Sequence, residues 1–264
     1  MEKKHIETII RSTIHIVMTD PDSLLPQGIG SGCIIDYKDK EILLTAAHVT
    51  DIEAATCIVT EQPTINGQTP LYSVGAMNYL EQFDITKYEE QIEKLKSEPD
   101  RIEEIDFGQI DISYATLMHK ANFIQIEIEF EKFNLKKSKK LLIKTDLTEK
   151  PSVEKEYGFF GRIKPLFFKD TPKGDILETQ QTLYSGLKFI QQIKNYYEFE
   201  LLNPIQDNAD FKGTSGAPIM DTDGNLVSLI THGYEGATKI YGIALADFKV
   251  GIDATLMTDE NDNC

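Results

Sequence analysis

Cysteine is scarce in this chain. The three present, Cys33, Cys57 and Cys264, are too few and too irregularly spaced for a disulfide framework, and none has zinc-ligand spacing. Cationic side chains are in deficit, 27 Lys and Arg against 43 Asp and Glu, giving a formal net charge of −16. That sign repels phosphates, which argues against nucleic acid and anionic membranes as partners. Basic protein segments suit the charge, although an acidic surface also serves simply to keep a protein dissolved. No run of about 18 apolar residues is present to span a membrane. The start, Met1-Glu2-Lys3-Lys4-His5-Ile6-Glu7, lacks the apolar core of a signal peptide. The expectation is a soluble, cytoplasmic protein. Fixed-period repeats, low-complexity domains and phosphate-cradling glycine loops are all missing.

What the chain does have is a series of short β-prone runs. At 264 residues and 41% hydrophobic, it is long enough for two modest cores of about 100 residues each. Ile6, Ile9 and Ile10 predict a short helix over 2–11. Strands are expected at 13–18, 32–37, 41–46 and 56–60, the last leading to an Asn66-Gly67 turn. A second series runs through 121–130, 140–146, 158–168, 195–202 and 226–231. Between the two, residues 79–104 are acidic and helix-prone, with Tyr88, Ile92 and Leu95 near one face and Pro99 breaking it. Such a segment either covers a cleft or receives a regulator, or is a solvated loop. The acidic tail from Thr258 to Cys264 is expected to lack fixed structure.

Two motifs carry chemistry. Thr45-Ala46-Ala47-His48 places an imidazole after the apolar run Ile42-Leu43-Leu44, and Gly213-Thr214-Ser215-Gly216-Ala217-Pro218 places a hydroxyl in a glycine-flanked turn. A serine hydroxyl attacks a carbonyl only when a base takes its proton, and neutral imidazole is the usual base near pH 7. Flanking glycines let successive N–H groups converge where an oxyanion would form. A third member, a carboxylate to orient the imidazole, is best supplied by Asp111 at the head of Ile112-Ser113-Tyr114-Ala115-Thr116-Leu117. Asp106 and then Asp84 are the alternatives, and a strand-start Asp bonded to nearby backbone is the plainer role for Asp111.

In this order, with Gly30-Ser31-Gly32-Cys33-Ile34-Ile35 ahead of the histidine and Tyr241-Gly242-Ile243-Ala244 after the serine, the residues resemble the chymotrypsin/trypsin-like serine peptidase superfamily. The nearest likeness is to bacterial members such as the high-temperature-requirement proteases and glutamyl endopeptidases. The resemblance covers residues 12–250. It implies an all-β fold of two six-stranded antiparallel β-barrels, with a short N-terminal helix and a helical acidic insertion. The implied division is an N-terminal segment (1–12), a first barrel (13–144) with its insertion at 79–106, a connection (145–157), a second barrel (158–250) and a tail (251–264). It further implies His48 as general base, Asp111 as its orienter, Ser215 as nucleophile, and the N–H groups of Gly213 and Ser215 as the oxyanion hole. A protein or peptide substrate, no cofactor and no metal follow, with regulation by a protein partner or by the insertion. Stand-alone peptidases of this kind act in bacterial stress and antiviral defence, which is analogy only. A catalytically idle scaffold or peptide-binding module is the alternative function.

Several positions depart from the pattern. Thr214 stands where digestive relatives carry an Asp that captures a new N-terminus, so activation by cleavage is not expected. Cys33 lacks its half-bridge partner, because Val49 fills that position. The resemblance places the floor of the specificity pocket at Ala209 and Asp210, with a loop-surface role for Asp207 and Asp210 equally open. Thr231, His232 and Gly233 are expected to line the pocket and pair with substrate backbone, and His232 could read an acidic side chain. His15 is expected on a strand or at the surface. Ser215 is not in a Gly-x-Ser-x-Gly elbow, since Ala217 takes the last glycine position. Asp221-Thr222-Asp223-Gly224-Asn225 reads as a hairpin turn rather than a calcium loop.

Overall fold

Isoleucine spacing starts the chain as a helix. In the computed structural model, which describes residues 2–63, 70–81, 109–130, 133–171 and 174–261, α1 spans Lys3–Ser12 and buries Ile9 and Ile10. It runs directly into β1 (Thr13–Thr19), whose pleat sends Ile14, Ile16 and Met18 into one apolar cluster. The remaining strands of this half are β2 (Pro26–Tyr37), β3 (Lys40–Thr45), β4 (Thr56–Val59), β5 (Tyr72–Ser73), β6 (Asn78–Glu81) and β7 (Gln109–Thr116). A one-turn helix, α2 (Ala47–Thr50), follows β3. The sheet order is β5-β4-β1-β2-β3-β7-β6. Two short ribbons pair β8 (Ile124–Gln125) with β11 (Ser138–Lys139), and β9 (Ile128–Phe130) with β10 (Phe133–Leu135). β12 (Ile143–Lys144) then joins β2 in parallel.

The second half is a closed six-stranded barrel of β13 (Glu156–Thr171), β14 (Gly174–Ile193), β15 (Tyr196–Glu200), β16 (Pro218–Asp221), β17 (Leu226–Gly233) and β18 (Lys239–Ala244). Its core is aromatic and β-branched, built on Tyr157, Phe159, Tyr197, Phe199, Ile219 and Ile230. The β16–β17 hairpin turns at Gly224, with Asp221 Oδ1 accepting from the N–H groups of Asp223 and Asn225 at 2.9 Å each. The chain continues as α3 (Leu245–Asn261).

The all-β two-part architecture matches the expectation, and the differences are local. The first half is an eight-stranded sheet, and its edge strands β5 and β6 do not pair with each other among the described residues. Residues 79–81 extend β6 rather than opening a helix, and the rest of the acidic insertion and the Asn66-Gly67 turn lie outside the described residues. Residues 258–261 are the end of α3, not an unstructured tail. The helix holds because Phe248, Ile252 and Leu256 recur at four-residue spacing against the core, and because Lys249 pairs with Asp253 at 2.8 Å. β14 and β16 went unread: one is polar along most of its length, the other opens on proline. Among the described residues no helix is long and apolar enough to cross a membrane.

A buried ionic cluster joins the two halves. Glu61, its side chain 3% exposed, accepts from Arg162 Nη2 of β13 at 2.7 Å, lies 3.2 Å from Lys140 Nζ, and takes the His15 backbone N–H at 2.9 Å. Lys140 also donates to Gln125 Oε1 at 2.7 Å and to the Thr13 carbonyl. Burial pushes the Glu61 carboxyl up, but the two cations outweigh it and hold it below its ordinary range. Burial pushes the Lys140 ammonium down to about 8. It also pushes the His15 imidazole, with help from Arg162, down to about 3, so the ring stays neutral in the folded protein.

That last shift has a sign. Between the ordinary value of 6.5 and about 3, the unfolded chain binds a proton at His15 that the folded chain refuses, so this group lowers stability as pH falls through the window and contributes nothing above it. His15→Phe should therefore flatten the dependence of unfolding free energy on pH in that window, measured by urea unfolding. Equal slopes in the two proteins would mean that His15 protonates without unfolding.

Candidate active site

β-sheet register brings His48 and Asp111 together. Thr45 at the end of β3 pairs with Ser113 of β7, so the turn into α2 carries His48 over Asp111, two residues further along. His48 Nδ1 lies 2.9 Å from both Oδ1 and Oδ2 of Asp111, and the His48 backbone N–H donates to Oδ1 at 3.1 Å. Beneath them, Thr50 Oγ1 and Ser113 Oγ are hydrogen bonded at 2.7 Å, which pins α2 to β7. Asp111 is largely buried, with its side chain 13% exposed, while the His48 side chain is 46% exposed. Burial pushes the Asp111 carboxyl up, but its hydrogen bonds to His48 and the nearby imidazole charge pull it net below the usual carboxylate range. The carboxylate therefore stays ionised, and a ring with its proton on Nδ1, facing Asp111, keeps a lone pair on Nε2. Asp84 and Asp106 lie outside the described residues.

Ser215 comes from the other half, in the turn between Phe211 and β16. Ser31 of β2 fastens that turn twice: its N–H donates to the Ser215 carbonyl at 2.8 Å, and its Oγ donates to the Gly213 carbonyl at 2.8 Å. Thr45 Oγ1 in turn donates to the Ser31 carbonyl at 2.7 Å. Gly213 has φ +108°, a conformation that needs glycine, and Gly216 has φ +82°. A Cβ on Gly216 would stand 2.1 Å from both the Ser31 carbonyl and Thr45 Oγ1. The backbone beside Ser215 thus rests on the residues leading into His48. With the Gly213 and Ser215 carbonyls taken up by Ser31, their N–H groups have no acceptor among the described residues. Thr214 is buried, its hydroxyl satisfied by the Phe211 carbonyl at 2.8 Å, so the position needs no ionic partner.

The expected pocket residues are placed unevenly. His232 of β17 is exposed, its ring centroid 6.0 Å from His48 and 5.9 Å from Tyr196. Thr231 is buried, and its hydroxyl donates to the Tyr241 carbonyl at 3.1 Å. Gly233 packs against the ring of Phe211 and against Ile205. Ala209 is half-buried in a 3₁₀ turn, its N–H held by Asp207 at 2.8 Å. Asp207 is exposed, and the Asp210 side chain lies outside what the structure describes. Sequence reading missed Ser31, Tyr196 and Phe211. Ser31 carried one signal: it sits between two glycines on the strand leading to the histidine.

By sequence the chain matches no family model and no curated protein. By structure, its fold is that of the trypsin-like serine proteases. It is similar to a serine endoprotease from Yersinia pestis, with a TM-score of 0.51 at 14% identity, over 98% of this chain and 68% of that one. It is also similar to human heparin binding protein, with a TM-score of 0.53 at 12% identity, over 95% of this chain and 93% of that one. At such identities the likeness is one of fold.

The seam at Gly216 gives a sharp expectation. Gly216→Ala should force the Ser215 turn off Ser31 and Thr45, lowering the thermal midpoint and slowing modification of Ser215 by a fluorophosphonate at least tenfold. A variant as stable and as reactive as the parent would show that the turn is not seated as described.

Proposed function

We propose that the protein is a serine endopeptidase that cleaves peptide bonds through an acyl-enzyme. The observation that carries this reading is the two-point grip of Asp111 on His48, set across a hydrogen-bonded seam from a serine turn with two unclaimed N–H groups. In the reaction, His48 Nε2 accepts the Ser215 Oγ proton as Oγ attacks the scissile carbonyl carbon. The resulting oxyanion is held by the N–H groups of Gly213 and Ser215. His48 then hands the proton to the leaving amine as the C–N bond breaks. Water enters, gives its proton to His48 and adds to the acyl carbonyl, and Ser215 leaves with that proton restored. Asp111 remains ionised throughout and steadies the imidazolium. No step calls on a cofactor.

His232 is the residue we assign to contact with substrate, because its exposed ring stands beside His48. The substrate is a protein or peptide, and regulation falls to a protein partner or to the acidic segment between His48 and Asp111. Peptide-library cleavage tests the reading. Ser215→Ala and His48→Ala should each lose about four orders of magnitude or more in rate, since the two act as a unit. Asp111→Asn should lose about four orders of magnitude with the fold intact. Near-normal cleavage by the Ser215→Ala protein would reassign the nucleophile. His232→Ala should alter the cleavage profile while Ser215 still reacts; an unchanged profile would remove His232 from the substrate path.

A further inference from the structure

The second face of β1 does not meet solvent. Ile14, Ile16 and Met18 fill the core of the first half, and the alternate residues His15, Val17 and Thr19 line a cavity of about 430 Å³ roofed by the β13–β14 hairpin. That volume is in the range of small-molecule sites. Most of the wall is apolar, made by Val17, Leu24, Ile58, Phe167, Ile176 and Leu177. Leu24 is half exposed and marks the mouth. His48, Asp111 and Ser215 are not among the lining residues.

Among the described residues, two buried nitrogens of the lining have no partner: His15 Nε2 and Arg162 Nε. His15 is only 2% exposed. Buried polar atoms are almost always paired, and leaving one unpaired is costly. The nearby carboxylate cannot serve them, because Glu61 Oε1 already faces Arg162 Nη2 and Lys140, and Oε2 takes the His15 backbone N–H. Counting Arg162, Lys140 and Glu61, the cluster holds one uncompensated positive charge. An apolar chamber whose unmet needs are donors and positive charge is complementary to a hydrocarbon body with an anionic acceptor head.

We propose that this cavity binds a small amphipathic carboxylate, with its head accepting from Arg162 Nε–H and from the Nε2–H tautomer of neutral His15, and its hydrocarbon on Val17, Ile58, Phe167, Ile176 and Leu177. The site is separate from the proposed catalytic residues, and its test needs no turnover. Octanoate and 1-octanol, identical in length but different in head, would be titrated calorimetrically into the full-length protein. Saturable octanoate binding, with octanol at least tenfold weaker, is expected. Ile176→Trp fills the chamber and should weaken octanoate at least tenfold while circular dichroism is unchanged. Should that variant not fold, Arg162→Lys, which keeps the charge facing Glu61 but removes the guanidinium donor, should give the same loss. Absence of saturable octanoate binding, equal affinity for octanol, or less than tenfold weakening in the folded variant would each overturn the proposal.

Discussion

The whole site hangs on Ser31. Its N–H and hydroxyl take the carbonyls of Ser215 and Gly213 from the second half of the molecule, while its own carbonyl is held by Thr45 in the first. A fully buried residue that makes three such bonds, two through its backbone and one through its hydroxyl, leaves little freedom to the turn it fastens. The physical consequence is directional: with the carbonyls drawn toward Ser31, the N–H groups of Gly213 and Ser215 are left for something else. The His48 imidazole comes from the same strand pair, since β3 delivers Thr45 to Ser31 and, three residues later, His48 to Asp111. One seam sets both the backbone of the serine turn and the position of the imidazole.

A second connection between the halves is ionic rather than neutral. Glu61 draws Arg162 of β13 and Lys140 into a nearly dry junction. Burying such charges is costly, and mutual pairing recovers that cost only when the geometry is complete. It is complete for Glu61 and incomplete for Arg162, whose Nε has no partner among the described residues. Arg162 also touches the site through its backbone, because its carbonyl lies against Gly213. The same residue thus faces the cavity under the β13–β14 hairpin with its side chain and the serine turn with its main chain.

Much of this was legible in the sequence, for reasons that can be named. His48 and Ser215 announce themselves through flanking small residues, because each sits where backbones approach closely. Asp111 was readable because β-prone residues follow it at once, and β7 pairs with the strand before His48. The first strands were visible through apolar periodicity, and α1 through its isoleucines. The α3 tail was misread because its acidic composition outweighed a stripe of four apolar residues, Leu245, Phe248, Ile252 and Leu256. Strand β14 was missed because its glutamines and threonines hide the alternation that pairing with β13 and β15 imposes. Glu61, Lys140 and Arg162 lie as much as 101 positions apart; nothing local marks a long-range charge cluster, and His15 looked like an ordinary strand residue. Ser31 was visible only as a small residue among glycines, since its task depends on a turn 182 residues away.

The proposed chemistry requires Ser215 to be an activated nucleophile and not merely a hydroxyl in a tight turn. The most direct measurement is site-resolved mass spectrometry after exposure of the native protein to a fluorophosphonate, which reacts with a serine only when a base and an oxyanion site act on it together. A single adduct on Ser215, absent from the His48→Ala protein, is the predicted result. No adduct on the folded protein, or an adduct at Ser215 that forms equally fast without His48, would contradict it.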